Sequence, residues 1–270
     1  MAVTRRGYIF GAFLSGVLCV VLLILAISSD SWVISTATAP VQAQDSSVRY
    51  GLFSGEVMLH NLATPSFNTL YMTCIPDINA CAVSCKTEYE ARQQEVGIAF
   101  PNLNIFFLWY ISISYKPLLY DSVDEPAVIS FGLYVSVVVL LFLQLTFAVI
   151  ASALAILNAT KNPTEPVFGL PGCFWTNAVT ALLGTVVLLL FGIYWAVSGW
   201  QTHLAFSYIA LGLFTPGPSL GFSYWILIAA ILCSITNVSL IVLRSYLLER
   251  DPPPPTIKVD NHSDGTIFLY

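Results

Sequence analysis

The clearest pattern along the chain is four long apolar runs separated by more polar segments. They extend over residues 8–27, 128–157, 174–197 and 222–248. An α-helix rises about 1.5 Å per residue, so roughly 20 apolar residues cross the hydrocarbon core of a bilayer. None of the four runs carries an acidic residue, a lysine or a histidine in its interior, and such a charge is costly at membrane depth. The pattern therefore predicts four transmembrane helices, packed as a left-handed bundle.

The segments between the runs complete the predicted organisation. They are a short N-terminus (1–7), a large loop (28–127), a link (158–173), a second loop (198–221) and a tail (249–270). Within the large loop, Val48–Phe53 and Leu70–Ile75 have strand-like composition, whereas Lys86–Val96 is polar and favours a helix.

Basic residues set the expected orientation. They flank the runs at the N-terminus, in the link and after the fourth run, at Arg5, Arg6, Lys161, Arg244, Arg250 and Lys258. The loop at 198–221 has no Lys or Arg. The positive-inside rule therefore places both termini and the link in the cytosol and the large loop outside. The glycosylation acceptors Asn158, Asn237 and Asn261 then face the cytosol or the bilayer and should stay bare.

Composition narrows the class of function. Charged residues make up 9% of the chain, against about 25% in soluble domains. The net charge of −5 and the lack of any basic stretch argue against a nucleic-acid partner. No catalytic grouping, metal-ligand spacing or phosphate-binding loop stands out, so we expect no enzyme activity, cofactor or metal. The amides of Gln144 and Asn237, at membrane depth, are expected to form hydrogen bonds between helices.

Three of the six cysteines, Cys74, Cys81 and Cys85, fall in the large loop, which the orientation places in an oxidising compartment. An odd number predicts one disulfide and one remaining cysteine. We favour Cys74–Cys85, with Cys74–Cys81 as the alternative.

The loop and the fourth run together carry a resemblance. A Trp after the first run, the segment Tyr50-Gly51-Leu52-Phe53 and a cysteine pair are similar to the first outer loop of the claudin and PMP22 superfamily. The fuller order resembles the clarin family more closely. The residues that carry it are Trp32, Tyr50, Gly51, Leu52, Phe53, Gly55, Glu56, Trp225, Asn237 and Arg244. The stretch 87–124 is longer than in vertebrate clarins, which suggests a distant or invertebrate member. The resemblance implies a place in the plasma membrane or in vesicles.

The resemblance implies a fold and a role. The fold is a transmembrane four-helix bundle with a small, disulfide-containing β-sheet in the first extracellular loop. The role is non-enzymatic: organising membrane patches, actin-linked projections or vesicle trafficking in sensory or other specialised cells, with membrane or cytoskeletal adaptor proteins as partners. The alternatives are a claudin-like adhesion or barrier protein and an auxiliary subunit of an ion channel.

Two further features concern contacts with other proteins. The tail ends in the apolar residues Phe268, Leu269 and Tyr270, which are suited to a PDZ-like groove, although a disordered end is the simpler expectation. Small residues at Gly7 and Gly11 suit close helix packing. Packing within the bundle is the plain interpretation, and a homo-oligomer is the alternative.

Overall fold

The structure, a computed structural model, describes residues 2–38, 46–59, 64–98, 128–160, 167–198 and 215–250. Five α-helices lie in these ranges: α1 Ala2–Ser28, α2 Tyr89–Ile98, α3 Phe131–Thr160, α4 Leu170–Val197 and α5 Phe222–Arg250. The predicted four long helices are present, and all four are long and apolar enough to cross a membrane. They pack as a bundle with the neighbour order α1–α3–α4–α5, in which α5 returns to α1.

Three helix starts differ from the sequence prediction. Helix α1 begins at Ala2, six residues before the predicted start at residue 8. The second run was expected to be helical from Val128, but residues 128–130 form a strand and α3 starts at Phe131. Main-chain bonds explain the change, because Phe131 N–H donates to the Asn79 carbonyl and continues a strand pairing. The third run was expected to start at Phe174, but α4 starts at Leu170. Pro171 fits its first turn, where no N–H donor is needed.

All the described strands form one antiparallel sheet. They are β1 Val33–Thr38, β2 Ser46–Tyr50, β3 Ser54–Leu59, β4 Ser66–Ile75, β5 Ala80–Ser84, β6 Val128–Ser130 and β7 Thr215–Leu220. The strand order is β6-β5-β4-β3-β2-β1-β7. The predicted disulfide-containing sheet is therefore present, and it is larger than the first loop alone supplies. The sheet has seven described strands, and β7 comes from the segment that precedes α5.

The edge strand β7 contains two prolines, which usually disfavour a strand. Gly221 N–H donates to the Trp32 carbonyl at 2.9 Å. Because the main-chain N–H groups of a strand point to its two sides in turn, this bond shows which residues of β7 point theirs towards β1. By that alternation Gly217 and Ser219 face β1, while the nitrogens of Pro216 and Pro218 face outwards. The prolines thus cost no pairing with β1 and offer no N–H to a further strand.

The disulfide joins Cys74 to Cys81 and corrects the favoured Cys74–Cys85 pairing. A turn with Asn79 in the left-handed region (φ 51°) connects β4 to β5 and places Cys74 directly opposite Cys81, with their Cα atoms 4.0 Å apart. The same register pairs Tyr71 with Ser84, so Cys85 lies beyond the last pair. Continuing this register, the position opposite Cys85 lies four residues from Cys74 along β4, which is roughly 13 Å at 3.3 Å per residue. A bond from Cys74 to Cys85 would therefore break the hairpin.

Helix α2 lies against β4 and β5. The polar helix was predicted over Lys86–Val96, and the structure has it three residues later at its start and two at its end. The Arg92 guanidinium stacks over the Tyr71 ring of β4, 5.0 Å from the ring centre. Its Nη1 donates to the Thr87 carbonyl at 3.1 Å, which ties the start of α2 to the sheet.

Candidate functional site: the junction between sheet and bundle

Trp32 lies where α1 ends and the sheet begins, and only 1% of it is exposed. Its indole Nε1 donates to the Ala26 carbonyl at 2.7 Å. The last carbonyls of a helix lack partners within the helix, so the indole caps the end of α1. The ring also packs edge-on against Phe191 of α4, with centroids 5.1 Å apart. One side chain therefore fixes two helices relative to each other.

The main chain of Trp32 extends the same junction into the sheet. Its N–H donates to the Tyr50 carbonyl of β2 at 3.1 Å, and its carbonyl accepts the Gly221 N–H next to α5. One residue before Trp32, the Ser31 carbonyl accepts the Ser223 N–H at 3.1 Å. The Ser223 hydroxyl donates to Ser29 Oγ at 2.8 Å. The start of α5 is thus bound to the end of α1 through both main-chain and side-chain groups.

The turn from β2 to β3 rests on the ends of the helices. Gly51 N–H donates to the Ser54 carbonyl at 2.8 Å and closes the turn. A Cβ at Gly51 would overlap the carbonyl oxygen of Ser29 and lie 3.0 Å from Asp30 Cα. Leu52 is buried, and its carbonyl accepts the Tyr134 hydroxyl of α3 at 2.9 Å. Glycine is therefore required where the turn contacts the end of α1.

Gly55 lies under similar steric pressure at the start of β3. A Cβ there would overlap the Arg49 carbonyl oxygen and lie 2.8 Å from Tyr50 Cα. Tyr50 is itself buried. Gly55 therefore lets β3 lie close against β2 within the hairpin, whereas Gly51 lets the hairpin lie close against the end of α1.

Two of the motif residues face away from the junction. The Phe53 side chain is 46% exposed, although its carbonyl accepts the Met72 N–H at 3.0 Å. Glu56 forms an ion pair with Arg49 across β2 and β3, and both side chains are substantially exposed. Exposed pairs stabilise little, typically below about 1 kcal/mol. Phe53 and the Arg49–Glu56 pair are therefore the motif groups available to a partner.

The structure does not bring all the motif residues together. Trp225 is 56% exposed on α5, and its ring lies edge-on to Tyr224 at 5.5 Å. Asn237 is buried about three turns further along α5, where its Nδ2 donates to Asn177 Oδ1 at 3.0 Å. Arg244 lies two turns beyond that. Asn237 and Arg244 therefore belong to the bundle and not to the junction. The motif residues that meet at the junction are Trp32, Tyr50, Gly51 and Leu52.

Sequence reasoning missed β7 and Gly221. A Cβ at Gly221 would overlap the Ser31 carbonyl oxygen, so the chain must approach without a side chain here. The alternating prolines of β7 indicate a loop by composition, and only a glycine immediately before α5 hinted at a close contact. The tail residues Phe268, Leu269 and Tyr270 lie outside the described residues.

The junction contains the groups of a structural joint: an indole, hydroxyls, main-chain amides and glycines. In the described parts of the chain, no group of three or more His, Cys, Asp or Glu residues is placed to hold a metal ion. Compared with known proteins, the sequence matches no family profile and no curated protein.

The disulfide gives a test of the hairpin at one end of the sheet. We expect Cys74→Ser and Cys81→Ser to reduce surface delivery to the same degree, because each removes a cross-link worth about 2–3 kcal/mol for so short a loop. Surface biotinylation measures the delivered fraction. Cys85→Ser is the matched control and should be delivered better than either. If Cys85→Ser is as poorly delivered as Cys74→Ser while Cys81→Ser is normal, the pairing is wrong.

Proposed function

We propose that this chain is a non-enzymatic four-span membrane protein that holds a folded sheet on the outer face of the membrane and recruits partners on both sides. The observation that carries the proposal is the junction at Trp32, where α1, α4, the sheet and the start of α5 meet through direct bonds. A sheet attached at so many points has a fixed position and direction. This is what a scaffold needs in order to present a recognition surface.

The bundle supports the proposed orientation. The start of α1, the end of α3, the start of α4 and the end of α5 lie at one end of it, because consecutive long helices run in opposite directions along it and the sheet adjoins the other ends. The basic residues Arg5, Arg6, Lys161 and Arg250 fall at or next to that end. The positive-inside rule then directs this end to the cytosol and the sheet outwards.

Among scaffolding roles, the sequence resemblance favours a clarin-like protein. Its role is to organise membrane patches, actin-linked projections or vesicle trafficking in sensory or other specialised cells. The outward Phe53 and the neighbouring Arg49–Glu56 pair form the outer contact surface. The cytosolic tail after Arg250 is the inner one. Adaptor proteins of the membrane or of the cytoskeleton are the expected partners.

The second candidate is a claudin-like adhesion or barrier protein, and the exposed groups on the sheet are the observation that favours it. In that role the sheet contacts a neighbouring cell, and the protein concentrates at cell junctions. An auxiliary channel subunit, by contrast, remains associated with a pore-forming protein after purification.

Proximity labelling from the C-terminal tail in native tissue separates these roles. We expect actin-associated or trafficking adaptors to dominate the labelled proteins. Enrichment of junctional adhesion proteins or of a pore-forming channel would overturn the scaffold proposal. The matched control carries the label on a chain that lacks Phe268, Leu269 and Tyr270. If the tail end docks in a PDZ-like groove, only the PDZ-containing proteins should disappear from the labelled set.

A further inference from the structure

The interior of the bundle is not uniformly apolar. One buried cluster lies towards the sheet and includes Leu23, Leu141, Val187 and Leu227. A second cluster lies near the opposite end and consists of Leu154, Ala155, Cys173 and Ile241. Five buried polar residues lie between them: Ser152, Asn177, Thr180, Ser234 and Asn237. We call these five residues, with Gln144 at their sheet side, the polar layer.

Most donors of the polar layer bond to their own helices. The hydroxyls of Ser152, Thr180 and Ser234 donate to the carbonyls four residues earlier, at 2.9, 2.8 and 3.3 Å. Each hydroxyl oxygen therefore keeps acceptor capacity. The Asn237 carboxamide donates through Nδ2 to Asn177, which confirms the predicted hydrogen bond between helices. Its Oδ1 has no partner in the described part of the chain.

Gln144 differs from the prediction. It was expected to form a hydrogen bond between helices, yet it is fully buried and neither Oε1 nor Nε2 has a partner among the described residues. The reason is its position against Gly184 of α4. A Cβ at Gly184 would overlap Nε2 and lie 2.9 Å from Ile231 Cγ1 of α5. The glycine thus admits a carboxamide into the interior at a place where the neighbouring side chain is apolar.

An unpaired buried amide is costly, because no hydrogen bond replaces the water that it loses on burial. Protein interiors usually resolve this cost with ordered water, which needs two to four polar partners. The polar layer supplies such partners at regular intervals. Thr180 is one helical turn from Gly184, and Asn177 is a further turn along, so the layer spans about 10 Å. Ser234 lies between Ile231 and Asn237 on the facing helix.

We propose that the polar layer binds a short row of water molecules, two or three at this length, which runs from the Gln144 carboxamide past Thr180 and Ser234 to Asn237 Oδ1. Both ends of the row are side-chain atoms that lack a protein partner. Leu23, Leu141, Val187 and Leu227 close the row towards the sheet. Leu154, Ala155, Cys173 and Ile241 lie beyond its other end, so the proposed site is enclosed within the bundle and is not a continuous pore.

Water-edited solid-state NMR on the full chain in lipid nanodiscs, with ¹⁵N-labelled glutamine side chains, tests the proposal. Gln144→Met identifies the Gln144 amide signal by its loss. We expect that signal to receive magnetisation from water, and a Gln144 amide that receives none would overturn the proposal. If Gln144→Met does not fold, Gln144→Asn identifies the same signal, again by its loss, because asparagine does not carry the glutamine label. A water contact that depends on sodium or potassium would assign the site to a cation and also overturn it.

Thermal stability in the same nanodiscs gives a second test, because Gln144→Met should change Tm in opposite directions for a hydrated and for a dry amide. If water pairs the amide, Gln144→Met removes those hydrogen bonds and lowers Tm by several degrees. If the amide is dry, the same substitution relieves its desolvation and raises Tm. A rise in Tm would therefore contradict the proposal. Leu143→Met, on the exposed side of α3, is the matched control and should leave Tm unchanged.

Discussion

Trp32→Ala is expected to destabilise the protein by about 3–5 kcal/mol, the usual cost of truncating a buried tryptophan. The substitution removes the bond to Ala26 that caps α1 and the edge-on packing against Phe191. The four long helices should still insert, because insertion depends on their apolar length. The sheet loses its joint, so the protein should be retained in the secretory pathway. Surface biotinylation and the resistance of the sheet to protease measure the two effects.

Trp225→Ala provides the matched control, because it removes the same side chain at an exposed position of the same bundle. We expect near-normal delivery for this variant. Trp32→Phe should fall between the two, since it keeps ring packing but loses the indole donor. Equal delivery of Trp32→Ala and Trp225→Ala to the cell surface would show that the junction does not determine the position of the sheet.

Gly51→Ala is expected to have an effect of similar size from a single added methyl group. Overpacking usually costs about 1–3 kcal/mol, and here the obstacle is main chain that cannot rotate away. The new Cβ would overlap the Ser29 carbonyl oxygen at the end of α1. The β2–β3 turn must therefore lift from the bundle, which breaks the Tyr134–Leu52 bond as well. The melting temperature in detergent, read by size-exclusion chromatography, should fall by several degrees.

Gly132→Ala is the control for this substitution, because it lies near the same end of the bundle in open space. The nearest atom to an added Cβ there is Asn79 Oδ1 at 4.0 Å. Because position 132 lies in a helix, the substitution should leave the free energy of unfolding unchanged or raise it by up to about 1 kcal/mol. A melting temperature for Gly51→Ala that matches that of Gly132→Ala would contradict the close contact at the turn.

The long helices could be predicted from sequence because an apolar run of sufficient length has few other uses. Their starts could not be, since long-range bonds decide them. Val128 and Ile129 suit a strand as well as a helix, and pairing with β5 settles the choice. The predicted disulfide pairing was wrong for a related reason. Three nearby cysteines permit several pairings, and only the turn at Asn79 sets the register that selects Cys81.

The candidate site was predictable in its residues but not in its geometry. The motif pointed to Trp32 and to the Tyr50–Glu56 segment. A glycine before α5 suggested a close contact there, but the sequence did not indicate that Gly221, some 190 residues away, completes the junction. The hydrogen bond expected of Gln144 does not form, because its neighbour on α4 is a glycine, which provides space but no side-chain partner. Pattern alone shows which residues lie at membrane depth, and it does not show which of them meet.

Burial also changes what the glycosylation acceptors can report. Asn158 is buried, and its Nδ2 donates to the carbonyls of Leu154 and Phe168, both at 2.8 Å. In the folded chain it should stay bare on either side of the membrane. Asn237 is buried as well. Of the three natural acceptors, only Asn261 in the tail can therefore report orientation.

The most direct test of the central claim, that the sheet lies outside and the tail inside, is glycan mapping with one substitution. Ala63→Thr turns the tripeptide that starts at Asn61, between β3 and β4, into an acceptor. We predict that this variant gains a glycan that an endoglycosidase removes, while the natural acceptor at Asn261 stays bare, so that Asn261→Gln does not change gel mobility. A glycan at Asn261, with none gained by Ala63→Thr, would contradict the account.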